Sequence, residues 1–144
     1  MDDSNREALL GLRVSDAQLR FVSSVADSLA EAEAKPGGRA IQWGLYDVET
    51  PVGFVMVSDD VGGPGYIAQY LWKVLIDERH QRQGYGTAAL DLVTEYFRGR
   101  PGIRAMWTSA GKGEGSPIPF YEGYGFVRTG EIVFDDEVLL RLEL

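Results

Sequence analysis

The chain has 144 residues, the size of one ordinary domain, and its 44% hydrophobic and 25% charged residues exclude a disordered composition. Fourteen basic against 22 acidic residues leave a net charge of −8, which argues against nucleic acid or an anionic membrane as partner and fits plain solubility equally well. Cysteine is absent, so disulfides, thiolate metal sites and a cysteine nucleophile are excluded, and no metal site is expected. The acidic, polar start Met1-Asp2-Asp3-Ser4-Asn5 is unlike a secretory signal. No apolar run approaches the ~20 residues of a membrane helix. A soluble cytoplasmic protein, one domain over residues 1–144, is expected.

In chain order, residues 6–14 read as a short helix. Ser15 and Gln18 fit a capping box that opens a longer helix from Asp16 to about Ala34, with Val22, Val25, Ala26 and Leu29 as its apolar stripe. Lys35-Pro36-Gly37-Gly38 ends it. Ile41, Trp43 and Leu45 alternate with more polar neighbours, and after a turn at residues 47–51 the run Val52–Val57 completes an antiparallel hairpin. The glycine-rich stretch before Tyr66 is a loop, and a long apolar strand follows from Tyr66 to about Ile76. Residues 84–98 return to helical periodicity, with Tyr85, Ala88, Ala89, Leu92, Val93 and Tyr96 predicted on the inner side. A strand from Ile103 to Thr108, a short helix opened by Ser116-Pro117 and two closing strands complete a mixed α/β domain around one sheet.

The junction of the third strand with the following helix carries the most chemistry. Gly84 and Gly86 lack a Cβ where a helix begins, so an anion can approach free backbone N–H groups at the positive end of the helix dipole. Lys73, Arg79 and Arg82 place three basic residues in one ten-residue window. The segment is not a Walker A loop, because no Gly-Lys-Ser/Thr follows. Nor is it Gly-x-Gly-x-x-Gly, because residue 89 is Ala. Taken alone, a Gly-x-Gly at a helix start is more often a tight turn than a ligand site.

Gln81-x-x-Gly84-x-Gly86, between a long strand and a helix, resembles the Gln/Arg-x-x-Gly-x-Gly/Ala signature of the GNAT acetyltransferase superfamily. Phe120-Tyr121-Glu122-Gly123-Tyr124-Gly125-Phe126, about 40 residues downstream, resembles that family's late Phe-Tyr-x-x-x-Gly-Phe block. Residues 20–32, the run Leu71–Asp77, and Thr129-Gly130-Glu131 with Glu137 are similar to the bacterial spermine/spermidine acetyltransferase branch. The resemblance spans essentially the whole chain and implies the GNAT fold; the first strand that usually precedes the first helix is expected to be either absent or lost to a start assigned too late. The sheet edge so exposed predicts a homodimer.

The resemblance also implies roles. Val74, Leu75 and Ile76 would offer backbone groups to the pantetheine arm of acetyl-CoA, and Gln81, Arg82, Gln83, Gly84, Tyr85, Gly86 and Thr87 would hold its pyrophosphate, with Ser116 nearby. Tyr121 would protonate the departing thiolate, whose thiol has a pKa of about 8.5; without that context it reads as a core aromatic. In several GNAT enzymes a strand glutamate eleven residues before the signature glutamine takes the proton from the amine. That position is Tyr70 here, and no carboxylate stands between Gln69 and Ile76, so a water chain is the expected substitute. Asp27, Glu31, Glu33, Trp72 and Glu122 are the candidates for contacting the substrate, although each carboxylate taken singly is more often solvated surface. His80, the one histidine, reads as a bystander. The expected reaction is direct acetyl transfer from acetyl-CoA to a small-molecule primary amine, first of all a polyamine. The alternatives are another amine (an aminoglycoside, an amino acid derivative or a protein N-terminus) or a domain that binds acetyl-CoA without catalysis.

Overall fold

A computed structural model describes residues 3–13, 24–59, 67–81 and 83–144. Helices α1 (Asp3–Leu10) and α2 (Val25–Ala34) precede strands β1 (Ala40–Asp47), β2 (Thr50–Ser58) and β3 (Tyr70–Ile76). Helix α3 (Tyr85–Arg98), β4 (Ala105–Ala110), α4 (Ile118–Tyr124), β5 (Val127–Val133) and β6 (Glu137–Glu143) follow. The six strands form one sheet in the order β1-β2-β3-β4-β6-β5. Every pairing is antiparallel except β3 with β4. The single parallel step is the one bridged by a helix, as a crossover requires.

Two sequence expectations change. The helix predicted from Asp16 is not continuous to Ala34, because Ser24 is extended at φ −60°, ψ 165° and its side chain accepts from the Asp27 N–H, which makes it the N-cap of α2. The proposed capping box at Ser15 and Gln18 lies outside the described residues, as do Val22 and Tyr66; residues 68–69, predicted within the third strand, form a turn, and the strand begins at Tyr70. The buried face of α3 is also turned from the predicted one. Ala89, Leu90, Val93, Thr94 and Phe97 are buried, whereas Leu92 is 58% exposed. Thr94 can be buried because its hydroxyl donates to the Leu90 carbonyl at 2.6 Å, which removes the cost of an unpaired polar group.

The sheet separates two apolar layers. On one face α3 and α4 pack Leu90, Phe97, Ile118 and Tyr121 against Val55, Val57, Leu71, Met106 and Leu140. On the other, Leu9, Leu12, Val25 and Leu29 from the α1 and α2 region cover Phe54, Met56 and Leu75. Residues 54 to 57 of β2 alternate between the layers as a strand should. β3 does not. Leu71 and Leu75, four residues apart, would share a face in a regular strand, yet they sit in opposite layers. The cause is a bulge: Met56 pairs with Lys73 and Val57 with Leu71, so Trp72 has no partner and the alternation inverts after it.

Candidate active site

β3 and β4 are paired only at Tyr70–Trp107 and Leu71–Thr108. Beyond this point β3 stays bonded to β2 but not to β4, and the two parallel strands part. A cleft of about 470 Å³ opens beside this part of β3. Val74 and Ile76 line one wall and Tyr121, Phe120 and Ser116 the other, with Gly84–Thr87 across one end. The bulge at Trp72 decides which part of β3 faces the gap. The Asp77 N–H donates to Val52 on β2 at 2.8 Å, so the preceding Ile76 carbonyl points the opposite way, where it accepts the Gln81 side-chain amide at 2.9 Å. Leu75, expected beside Val74 and Ile76, faces β2 instead: a Cβ added to Gly53 would lie 2.6 Å from the Leu75 carbonyl oxygen.

At the far end, Gly84 caps α3 in the left-handed region at φ +85°, and a Cβ there would meet nothing within 4 Å. The first bond of the helix runs from the Ala88 N–H to the Gly84 carbonyl at 3.0 Å, so helix geometry leaves the N–H groups of Tyr85, Gly86 and Thr87 without intrahelical acceptors. Gly86 is glycine for a different reason, since a Cβ there would lie 3.0 Å from the Phe120 ring, which reaches across from α4. The result is an open, anion-accepting end to the cleft. Gln83 is exposed and does not line the cleft, and Arg82 lies outside the described residues. The expected basic island is largely spent elsewhere. Arg79 forks onto Asp77 at 2.7 and 3.2 Å, and Lys73 pairs with Glu31 at 3.1 Å. Ser116 lines the cleft but is also bonded into the turn before α4, donating to the Gly111 carbonyl and accepting from the Ile118 N–H. His80 lines the cleft as well, its ring 6.3 Å from that of Tyr85.

Tyr121 is buried at the cleft wall between Phe120 and Phe126, with ring centroids 5.6 and 5.5 Å away. Burial pushes its phenol up to about 12, tempered by the hydroxyl of Thr108. It therefore keeps its proton through the whole working pH range. On the other face of the sheet the Tyr70 hydroxyl lies 2.5 Å from the Ser109 hydroxyl, which donates to Glu137 at 3.0 Å. Nothing in the local sequence marks these three as a unit. Their separation of up to 67 positions is closed by β4 pairing with both β3 and β6.

The proposed substrate contacts do not gather in one place. Glu31 accepts from the Trp72 indole at 2.9 Å and pairs with Lys73 and Lys35. Although burial alone would raise it, these partners hold its carboxyl below the usual range. Glu122 pairs with Arg128 on the face of α4, while Asp27 and Glu33 are exposed on α2.

Residues 9–126 match the model of the acetyltransferase (GNAT) family. The chain belongs to that family. It is an acetyl-CoA-dependent N-acetyltransferase. It is 29% identical to the spermine/spermidine N(1)-acetyltransferase of Bacillus subtilis strain 168, over 99% of this chain and 94% of that one. It is 27% identical, with the same coverage, to a probable spermine N(1)-acetyltransferase of Bacillus subtilis subsp. natto. Among solved structures, the GNAT domain of S. lividans PAT superposes with a TM-score of 0.75 at 18% identity, covering 100% of this chain and 88% of that one. The PaiA N-acetyltransferase of Thermoplasma acidophilum, in complex with coenzyme A, gives 0.59 at 15% identity over 83% and 72% of the two chains. For this GNAT enzyme, the mixed six-stranded fold expected from sequence is the one found. No described helix is long and apolar enough to cross a membrane. The cleft suits acetyl-CoA on its own geometry, because its glycine end has room and amide donors for a phosphate and its β3 wall carries backbone unclaimed by β4.

Proposed function

We propose that this acetyltransferase acetylates a primary amine of a polyamine such as spermidine or spermine, by direct transfer with both substrates bound together. The observation that carries the reading is the cleft between β3 and α4, which has an anion-accepting helix end at one extreme and the buried Tyr121 on its wall. The polyamine itself is favoured by the names of the two Bacillus relatives and by the acidic balance of the chain. Without cysteine there is no thiol to carry an acetyl group on the protein.

Bound acetyl-CoA supplies an acetyl group on a thioester, already activated toward an amine. The N–H groups of Tyr85, Gly86 and Thr87 hold the pyrophosphate, and the cleft-facing backbone of Val74 and Ile76 aligns the pantetheine arm as an added strand. Gln81 braces the loop between them through its bond to Ile76. Tyr121 delivers a proton to the departing sulfur. The exposed outer edge of β1 is the place where a second copy would complete a dimer in the cytoplasm.

Thiol release from acetyl-CoA with spermidine, spermine, an aminoglycoside and a short peptide tests the substrate. Release with the polyamines alone is the expected result. Release only with another acceptor would discard the polyamine, and silence across the panel with normal acetyl-CoA binding would favour a non-catalytic domain. Tyr121→Phe is expected to lower kcat by about 10²- to 10⁴-fold while acetyl-CoA affinity, measured by calorimetry, stays within a factor of two or so. Gly84→Asp is expected to abolish that affinity, since it places a negative charge and a Cβ at a left-handed position in the cradle.

A further inference from the structure

We propose that Tyr70, Ser109 and Glu137 form a proton relay that deprotonates the substrate amine, with the half-buried Glu137 on β6 as the proton acceptor. The inference rests on the amine-acetylation reading above, but not on the amine being a polyamine. The problem it answers is chemical: an alkylammonium with a pKa near ~10.4 cannot attack a thioester until it loses a proton. β3 carries no carboxylate for the purpose.

The hydrogen bonds have a defined direction. A carboxylate only accepts, so the single Ser109 proton points at Glu137 Oε1, 3.0 Å away. The Ser109 oxygen must then accept from Tyr70 across the 2.5 Å contact. Both protons thus point toward Glu137, and the Tyr70 oxygen is left with a lone pair to receive another. Tyr70 is only 8% exposed and stands at the last stretch where β3 and β4 are paired, just before they part. Glu137 is the more accessible end. A proton that enters at Tyr70 therefore leaves toward solvent.

Groups from four elements act on the acceptor. Burial raises Glu137 above the usual carboxylate range. The hydrogen bond from Ser109 and the charge of Lys73 on β3 oppose this, while Asp136 beside it and Glu31 on α2 add to it; Tyr70 and Tyr121 face it as neutral phenols. Lys73 is itself paired with Glu31 at 3.1 Å.

The balance is simple. One ammonium proton passes to the Tyr70 oxygen as the Tyr70 proton moves to Ser109 and the Ser109 proton to Glu137. The neutral nitrogen forms its bond to the acetyl carbon as the carbon–sulfur bond breaks. Tyr121 gives its proton to the departing sulfur and the second nitrogen proton restores the Tyr121 phenol, while Glu137 returns its proton to water. Tyr70 is the catalytic residue of this set; Ser109 and Glu137 act through it.

The test uses the wild-type enzyme and the variants Tyr70→Phe, Ser109→Ala, Ser109→Thr and Glu137→Gln, with whichever amine of the four-member panel the wild type turns over fastest. Tyr70→Phe, Ser109→Ala and Glu137→Gln are expected to lose about 100-fold in kcat at pH 7. The deficit should shrink toward pH 10, where the free amine supplies itself, and Ser109→Thr should recover most of the activity. Acetyl-CoA affinity and melting temperature should stay near wild type. A second readout needs no turnover: in a carbon NMR titration of the apo protein, Ser109→Ala should raise the Glu137 midpoint further, because the bond that opposes protonation is gone. Wild-type kcat in Glu137→Gln at every pH, a pure KM effect, or a deficit independent of pH would overturn the relay alone. Failure of the wild type to turn over any amine would overturn the functional reading and the relay with it.

Discussion

The Asp77 carboxylate is fully buried where β3 turns toward α3, and it accepts from the Arg13 and Arg79 backbone N–H groups and from the Arg79 guanidinium. Burial alone would raise its pKa, but these donors prevail and hold it at about 2, below its ordinary 3.8. A depressed carboxylate stabilises the fold fully above its unfolded pKa and loses that contribution as pH falls through the folded one. A loss of about 1–2 kcal/mol is therefore expected between pH 4 and 2, discounted because Arg79 is solvent-exposed. Comparing urea midpoints of wild type and Asp77→Asn at pH 6 and pH 3 checks it: the gap should narrow at the lower pH. At this scale the sequence misleads about charge. Lys73 and Arg79 look like phosphate ligands in the linear chain, yet each is committed to a carboxylate, at Glu31 and Asp77, and among the described residues the anion-accepting end is built from backbone N–H groups. The rate should accordingly show no alkaline limb from Tyr121 below about pH 12, since its phenol stays protonated.

At the scale of elements, the bulge in β3 organises the site. A regular strand would put Val74 and Leu75 in each other's places, burying the cleft wall and exposing a core leucine. Gly53 makes the neighbouring approach of β2 possible, because a Cβ there would meet the Leu75 carbonyl and the Ile76 and Leu45 side chains at 2.6 to 3.0 Å. Gly53→Ala is expected to cost about 1–3 kcal/mol, as overpacking does, and to weaken acetyl-CoA binding by displacing β3; denaturant unfolding and calorimetry read the two effects. The helix α3 was legible from periodicity, but its buried face was not. Ala88, Ala89, Leu92 and Val93 form one plausible stripe and Ala89, Leu90, Val93 and Phe97 another. The choice falls to the second because Phe97 and Leu90 fill the space over Val55, Leu71 and Met106.

For the whole molecule, the sheet order leaves β1 and β5 as its edges among the described residues. If a second copy covers β1, light scattering should give a mass close to twice the 15.9 kDa of the chain, and a clean monomer would exclude it. The alternation of apolar residues, the glycine spacing from Gln81 to Gly86 and the Phe120–Phe126 block were enough to establish the order of elements, the family and the segments that form the cleft. These are local properties, set by strand and helix periods and by the few residues that tolerate a close backbone approach. The faces were decided only in three dimensions. A bulge is invisible until β3 meets β2, the partners of Glu31 until α2 meets β3, and the path from Tyr70 through Ser109 to Glu137 until β4 is laid between β3 and β6. Hydrogen bonds between residues far apart in sequence leave no periodic trace in the chain, because nothing but the sheet brings their atoms within 3 Å or so of one another.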